Sequence, residues 1–500
     1  MTLVSDSIAL HHRPLRFIHA SDLHLERTLE RVAECPTQWE QRMLDISKRA
    51  AERLFLKCVE EEIDFVILSG NVLNANLAPP GIFLFLLEQF ERLKKADIAV
   101  YWAGGELDSP EDMPSAFPMP ENVYRFPSNS IQEFYFQRTE GQDVLPVAKL
   151  VGMSRNQRNH RIRSSEFPPE PGGLFTIAIA NGTVLNEHGE PETLAQRYMD
   201  YWAMGGSNKR HTFHGNPRRK GPDGKPIPLE PEYRLNNRDG VPLKERKDLP
   251  PQPFIVHYPG ATLARTPLDT GQFGATLVEV ALSEAGKPLE EPVLTHFSTS
   301  PIRWVNDRVT LEATDDGGKL ADELRHRIKN YRDAQKRDDL LINWLIDVPP
   351  GPLAHSLRRG GLPNDLLSEL RALYGQDEPM TWSVSISVLV PEQLPKQFYE
   401  QQTILGDFLR SVKHFQENPQ ELIHLGGYIP RNWASNIGEG EDIIKQLMLA
   451  EKVKDEITDA NDNEPKERWI QSPMQTETQQ RVLREAAMTG LELFAQISER

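Results

Sequence analysis

A buried strand that stops on a run of polar residues, then a helix, then the same unit again, constrains this chain more than any other feature. Residues 15–20 read as a buried strand ending at Ser21-Asp22-Leu23-His24. A helix follows over 39–62, where Trp39, Met43, Ile46, Ala50, Leu54 and Cys58 fall near a 3.6-residue period. A second buried strand over 64–68 ends in Ser69-Gly70-Asn71. Pro79-Pro80 opens a helix over 82–95, and a third strand over 98–103 ends in Gly104-Gly105. Units of this kind place polar residues at the carboxyl ends of strands, where open α/β sheets bind ligands.

Further strands are predicted over 148–153, 175–180, 201–204 and 254–258, then 272–282 and 293–304. Between 211 and 252 the pattern collapses into a Pro/Lys/Arg-rich stretch, read as a surface insertion. Near residue 307 the texture changes to an α+β unit running to about 395: helix 319–334, strand 340–348, helix 363–374 and strand 381–389. Residues 396–500 are predicted to be helical, at 399–417, 441–454 and 477–498, and able to bind a partner. Leu483, Ala487, Leu491 and Phe494 share one face of the last helix.

A chain of 500 residues exceeds one ordinary core, so two or three domains are expected. No apolar run approaches the roughly 18 residues of a membrane span, and the first ten residues lack the pattern of a signal peptide. A cytoplasmic protein with no membrane partner is the expectation. Cys35 and Cys58 then read as reduced thiols. The net charge of −16 argues against a protein that coats nucleic acid with its whole surface, but it leaves room for a local basic groove. Candidates for phosphate contact are Arg155, Arg158, Arg161 and Arg163, then Lys209, Arg210, Arg218, Arg219 and Lys220; a solvated loop explains them equally well.

Asp22 and His24, just past a buried strand, offer half a coordination shell for Mn²⁺, Fe²⁺ or Zn²⁺. The order of motifs from there resembles the calcineurin-like metallophosphoesterases, and within them the SbcD-type exonucleases of DNA double-strand-break repair. The resemblance covers roughly residues 14–400. It rests on 16–25, on 64–74 (normally Gly-Asp-x-x-Asp), on 103–110 (normally Gly-Asn-His-Asp) and on 175–184 (normally ending in His-Gly). It continues through 200–210, similar to a Tyr-Trp-Ala-x-Gly-His-x-His segment, and ends on Tyr258-Pro259-Gly260 and 274–280. It implies a four-layer αββα core over 14–306, a small α+β capping domain over 307–395 and C-terminal helices.

The departures fall on the chemistry. Asp22 and His24 stand as in the family, but Asn71 occupies the place of the metal-bridging aspartate and Asn74 that of the second aspartate. Aligned on Asp108-Ser109-Pro110, Glu106 replaces the asparagine ligand and Leu107 the histidine that protonates the leaving group. Asn181 stands at the histidine of the fourth motif, and Gly206 and Asn208 at the two of the fifth. Unit charges 4 Å apart interact by about 4 kcal/mol at an effective dielectric near 20, so two divalent ions repel by about four times that. A neutral Asn71 cannot bridge such a pair, and Leu107 cannot donate a proton. The expectation is a catalytically degenerate homologue that binds DNA ends or a coiled-coil SbcC-like ATPase, as a homodimer. A phosphodiesterase holding one weakly bound Mn²⁺ or other divalent ion, and an interaction protein without a DNA role, are the alternatives. His211 and His214 read as surface residues rather than replacement ligands.

Overall fold

The computed structural model describes residues 13–418 apart from short loop segments and the longer stretches 156–165, 183–196 and 216–253. Beyond 418 it describes 451–454, 467–470 and several positions between 483 and 491. The chain forms two compact units, one built mainly from the residues up to Val305 and the other mainly from those after it.

The first unit is a mixed α/β structure built on two six-stranded sheets. One sheet runs β12 (Val293–Ser298), β11 (Gly274–Val280), β1 (Leu15–Ala20), β2 (Phe65–Leu68), β3 (Ala99–Trp102), β4 (Val123–Arg125). The other runs β5 (Gln132–Glu140), β6 (Asp143–Gly152), β7 (Phe175–Asn181), β8 (Tyr201–Gly205), β10 (Phe254–Tyr258), β9 (His211–Gly215). Strands β1, β2, β3 and β4 are parallel neighbours, as are β6, β7, β8 and β10, so their carboxyl ends gather at one rim of each sheet.

Alternation along these strands builds the layers, because successive side chains point to opposite faces. Leu15, Phe17, Phe65, Ile67 and Tyr101 face inward and meet Phe175, Ile177, Ile179, Tyr201 and Ala203 between the sheets. The residues between them, Ile18, Ala20, Val66, Leu68, Val100 and Trp102, face outward under two helices, α2 (Ile46–Glu60) and α3 (Pro80–Lys95). The predicted helix over 39–62 is broken: α1 (Thr37–Leu44) precedes α2, with Asp45 at the junction. On the far face of the second sheet Ala178, Ala180, Trp202 and Met204 pack with Phe167 and Met199. The helical layer expected over that face lies outside the described residues.

Three sequence readings need correction. The hairpin β5–β6 was not anticipated over its first strand, because its alternation ends in the charged stretch Gln137–Glu140. Residues 211–215, predicted to open the insertion, form edge strand β9, antiparallel to β10, and the rest of that predicted stretch lies outside the described residues. The helix predicted over 441–454 is contradicted at its end, where β16 (Glu451–Lys454) pairs with β17 (Glu467–Ile470). Val453 between lysines alternates as a strand does.

The second unit contains helices α4 (Gly317–Ala334), α5 (Pro352–Arg359), α6 (Leu362–Tyr374), α7 (Lys396–Tyr399) and α8 (Ile404–Glu417). The three-stranded sheet is ordered β13 (Ile302–Thr310), β14 (Asp339–Asp347), β15 (Thr381–Val388). Leu409 and Val412 of α8 pack with Leu483, Ala487, Met488 and Leu491, so the described part of the last apolar stripe is covered by the chain itself. No described helix is long and apolar enough to cross a membrane.

Candidate metal centre

The candidate centre lies where β1, β2, β3, β7 and β8 end. Asp22, His24 and Asn71 all adopt left-handed backbone angles, with φ of 54°, 44° and 56°. Each costs roughly 1–2 kcal/mol for an ordinary side chain, less for Asp and Asn. The turns are held by Asp22 N–H donating to Gly70 O at 3.0 Å and His24 N–H donating to Asn71 O at 3.0 Å. Backbone strain of this kind persists where the surroundings over-determine it, commonly at functional sites.

The Asp22 carboxylate is buried, and three donors occupy its two oxygens. Asn71 Nδ2 donates to Oδ1 at 2.8 Å, while Ser21 Oγ and the Gly206 backbone N–H donate to Oδ2 at 2.7 and 2.9 Å. Thus Asn71, predicted at the place of a bridging aspartate, gives a proton-bearing amide to Asp22, and Gly206, predicted at the place of a histidine ligand, contributes a backbone N–H. Asn181, at the inward end of β7, donates from Nδ2 to Ser69 O at 2.8 Å and ties the two sheets together. Gly205 allows this approach, since a Cβ there would lie 1.8 Å from Ser69 O.

Gly105, rather than Glu106, faces Asn71 and Asn181: a Cβ on it would sit 2.5 Å from Asn71 Oδ1 and 3.0 Å from Asn181 Cγ. Glu106 is turned outward, half exposed, and pairs with Arg155 at 3.2 Å. The Leu107 carbonyl accepts from Ala75 N–H. Asn74 is a turn residue: its N–H donates to Glu26 Oε2 at 2.8 Å and its Oδ1 accepts from Asn76 N–H. Asn208 is exposed and braced by its carbonyl, which accepts from Ala261 N–H; Lys209 and Arg210 beside it are exposed. Arg158 lies outside the described residues, as do Cys35, Arg161, Arg163, Arg218, Arg219 and Lys220. Cys58 is buried and free.

Other residues that build the site stand outside the predicted ligand positions. Asp108, fully buried, accepts from the N–H groups of Asn71, Val72 and Gly105 and from Trp102 Nε1, at 2.7–3.0 Å. Burial pushes its carboxyl up, and those four donors counter that only in part. Arg265, also buried, donates to the Leu23 and His24 carbonyls from beneath the Asp22–His24 turn. Burial brings that guanidinium down to about 10, so it stays charged at neutral pH. Burial also pushes Glu26 up, but hydrogen bonds involving His24, its own backbone and Asn74 N–H outweigh it and leave the carboxyl lowered. The sequence signals available were Asp108 aligned with the acidic end of a motif and an arginine soon after Tyr258-Pro259-Gly260.

This donor set does not fit two metal ions. Both oxygens of Asp22 already accept hydrogen bonds, and among the described residues no three His, Cys, Asp or Glu side chains converge. His24 Nε2 lies 3.8 Å from Asp22 Oδ1, and Asn71 Oδ1 is buried without a hydrogen-bond partner.

Behind the pocket, two histidines are buried between the sheets. His19 bonds to Tyr201 Oη at 3.0 Å and Ser69 Oγ at 2.9 Å; His257 bonds to Thr212 Oγ1 and Thr276 Oγ1, each at 2.8 Å. Burial, then the neighbouring His257, holds His19 well below its ordinary 6.5. Burial, then Arg210 and nearby histidines, brings His257 to about 3. His211 stacks on Tyr258 with ring centres 4.2 Å apart, and His214 pairs with Glu291, both at the edge strand and away from Asp22's hydrogen-bond shell. Because the unfolded chain binds these protons near pH 6.5 and the folded chain does not, the stabilisation is present above pH 6.5 and lost as pH falls below it. Each histidine contributes a slope of about 1.4 kcal/mol per pH unit. Urea unfolding between about pH 7 and about pH 4.5 is expected to show that loss, and His257→Asn to flatten it.

The mixed α/β fold with its strand-end turns is consistent with a metallophosphoesterase-like scaffold. In sequence the chain is similar to the "Uncharacterized metallophosphoesterase YhaO" of Bacillus subtilis (strain 168), at 29% identity over 210 residues, 40% of this chain. It spans about half the length of that curated relative, 50% of it. This similarity supports a place in the metallophosphoesterase superfamily, a class consistent with a divalent-metal cofactor. No protein-family model matches the chain. A dimetal phosphatase from Danio rerio aligns over 57% of this chain and 100% of its own, at 10% identity and a TM-score of 0.29, too low to carry an argument.

Proposed function

We propose that this chain is a metallophosphoesterase-shaped protein of the SbcD-type DNA-repair nuclease line that has given up two-metal hydrolysis and acts by binding DNA ends or a coiled-coil SbcC-like ATPase, as a homodimer. One observation carries the loss of hydrolysis: Asn71 Nδ2 donates to Asp22 Oδ1 at 2.8 Å, so an amide hydrogen stands where a bridged ion pair needs a metal. The strained turns at Asp22, His24 and Asn71 persist, and Asn181 still joins the sheet ends, which supports a pocket kept for its shape. Arg155, Lys209 and Arg210 offer positive charge for phosphate contact. A second reading, a phosphodiesterase with one weakly held cation, rests on the unpartnered Asn71 Oδ1 beside Asp22 and His24.

Blunt duplex DNA and a chromogenic phosphodiester, each assayed with Mn²⁺, separate these readings. Salt-sensitive DNA binding without turnover is the expected result, and an Arg155→Ala/Lys209→Ala/Arg210→Ala variant should weaken it and flatten its salt dependence. Turnover abolished by Asp22→Ala would establish the one-cation enzyme instead. Neither binding nor turnover would leave the interaction protein, with co-purification of a coiled-coil ATPase as its positive test.

A further inference from the structure

The second unit carries a cleft of about 450 Å³ lined by Arg325, His326, Lys329, Arg332, Asp333 and Tyr374. All but Tyr374 project from α4, and Tyr374 ends α6. Three permanent cations and one carboxylate face a phenol ring, in a chain whose net charge is −16. The local sign therefore opposes the global one. Spacing explains the clustering: 325, 329 and 332 are four and three residues apart and share one face of a helix. The adjoining stripe of the same helix, with Leu320, Leu324 and Ile328, is buried.

The cleft's cations differ in what already holds them. Arg325 is spoken for, paired with Asp322 at 2.6 Å and with Glu369. Its guanidinium is thereby fixed in place at the wall. Lys329 is exposed and stands in no ion pair with a described residue. Arg332 lies over the Tyr374 ring at 5.9 Å, so a planar cation and a half-buried aromatic ring share one side of the cleft. Point charges beside flat groups suit a ligand with a phosphate at one end and a planar ring at the other. Bases stack on aromatic rings and on guanidinium planes, and the volume lies within the range of small-ligand sites.

We propose that this cleft binds a nucleotide, its phosphate held by Lys329 and Arg332 and its base against Tyr374. The nucleotide is either a free nucleoside monophosphate or the 5′-phosphorylated end of a single strand. The proposal does not rest on the strand-end pocket.

The test titrates the full chain with adenosine 5′-monophosphate, adenosine and inorganic phosphate by calorimetry. In parallel, fluorescein-labelled oligothymidylate with and without a 5′-phosphate is followed by polarisation. Saturable binding of the monophosphate, much weaker binding of adenosine, and a loss of about tenfold with Lys329→Glu or Tyr374→Leu are expected. Asp333→Asn should tighten binding, an effect a merely structural role would not produce, and Lys95→Glu on α3 serves as the control for bulk charge. Preference for the phosphorylated oligonucleotide over the monophosphate would identify a strand end as the ligand; the reverse would identify a free nucleotide. The proposal is overturned if neither probe binds, or if binding is indifferent to both Lys329→Glu and Tyr374→Leu while circular dichroism shows the variants folded.

Discussion

Asn71→Asp is expected to destabilise the chain by about 2–4 kcal/mol at neutral pH in EDTA, and Mn²⁺ should restore a large part of that loss. In the native chain the amide donates to Asp22 Oδ1 at 2.8 Å. Aspartate removes the donor and places a second anion against the first. Two unit charges about 4 Å apart repel by about 4 kcal/mol at an effective dielectric near 20. The chain can escape by protonating one carboxyl, which costs about 4 kcal/mol at pH 7 and caps the penalty. Lowering the pH should therefore reduce the destabilisation, as should a divalent ion between the carboxylates. Urea midpoints in EDTA and in Mn²⁺, for native chain and variant, check this. Equal midpoints in EDTA would show that Asn71 does not neutralise Asp22.

Asp108→Ala is expected to be the most damaging single change at this end of the sheet, costing about 3–5 kcal/mol. The loss is not one contact but four: the N–H groups of Asn71, Val72 and Gly105 and the indole of Trp102 all donate to that carboxylate. Removing it leaves buried donors unsatisfied, at about 1–3 kcal/mol each before relaxation or water entry. Asp108→Asn should cost less, because one oxygen remains to accept. Denaturant unfolding of the two variants distinguishes the account from a simple packing loss, in which alanine and asparagine would be similarly disruptive.

These two residues also show what the sequence made legible. The alternation of Phe17, Phe65, Ile177 and Tyr201 against Ile18, Val66, Ala178 and Trp202 was readable as strands buried on both faces, and it positions the two sheets. Asp22, Asn71 and Asn181 were readable as strand-end residues because each directly follows or closes an apolar run. Glu106 was not readable in the same way. Which side chain of a turn faces the site is decided by the backbone path, here the close packing of Gly105 against Asn71 and Asn181, which residue spacing does not reveal. Arg265 and Asp108 were harder still: their role is to satisfy backbone groups from distant segments, and that leaves no periodic trace. His257 lay on a predicted strand, yet its partners Thr212 and Thr276 come from strands 45 residues before and 19 after it.

The central claim is that hydrogen-bond donors, Asn71 Nδ2 among them, take the place of metal ions at the Asp22 carboxylate. Elemental analysis of the full chain after dialysis against Mn²⁺, Fe²⁺ or Zn²⁺ and gel filtration tests it most directly. The account predicts no stoichiometric metal in the native chain and an increase with Asn71→Asp. Two equivalents of metal per native chain, lost with Asp22→Ala, would contradict it.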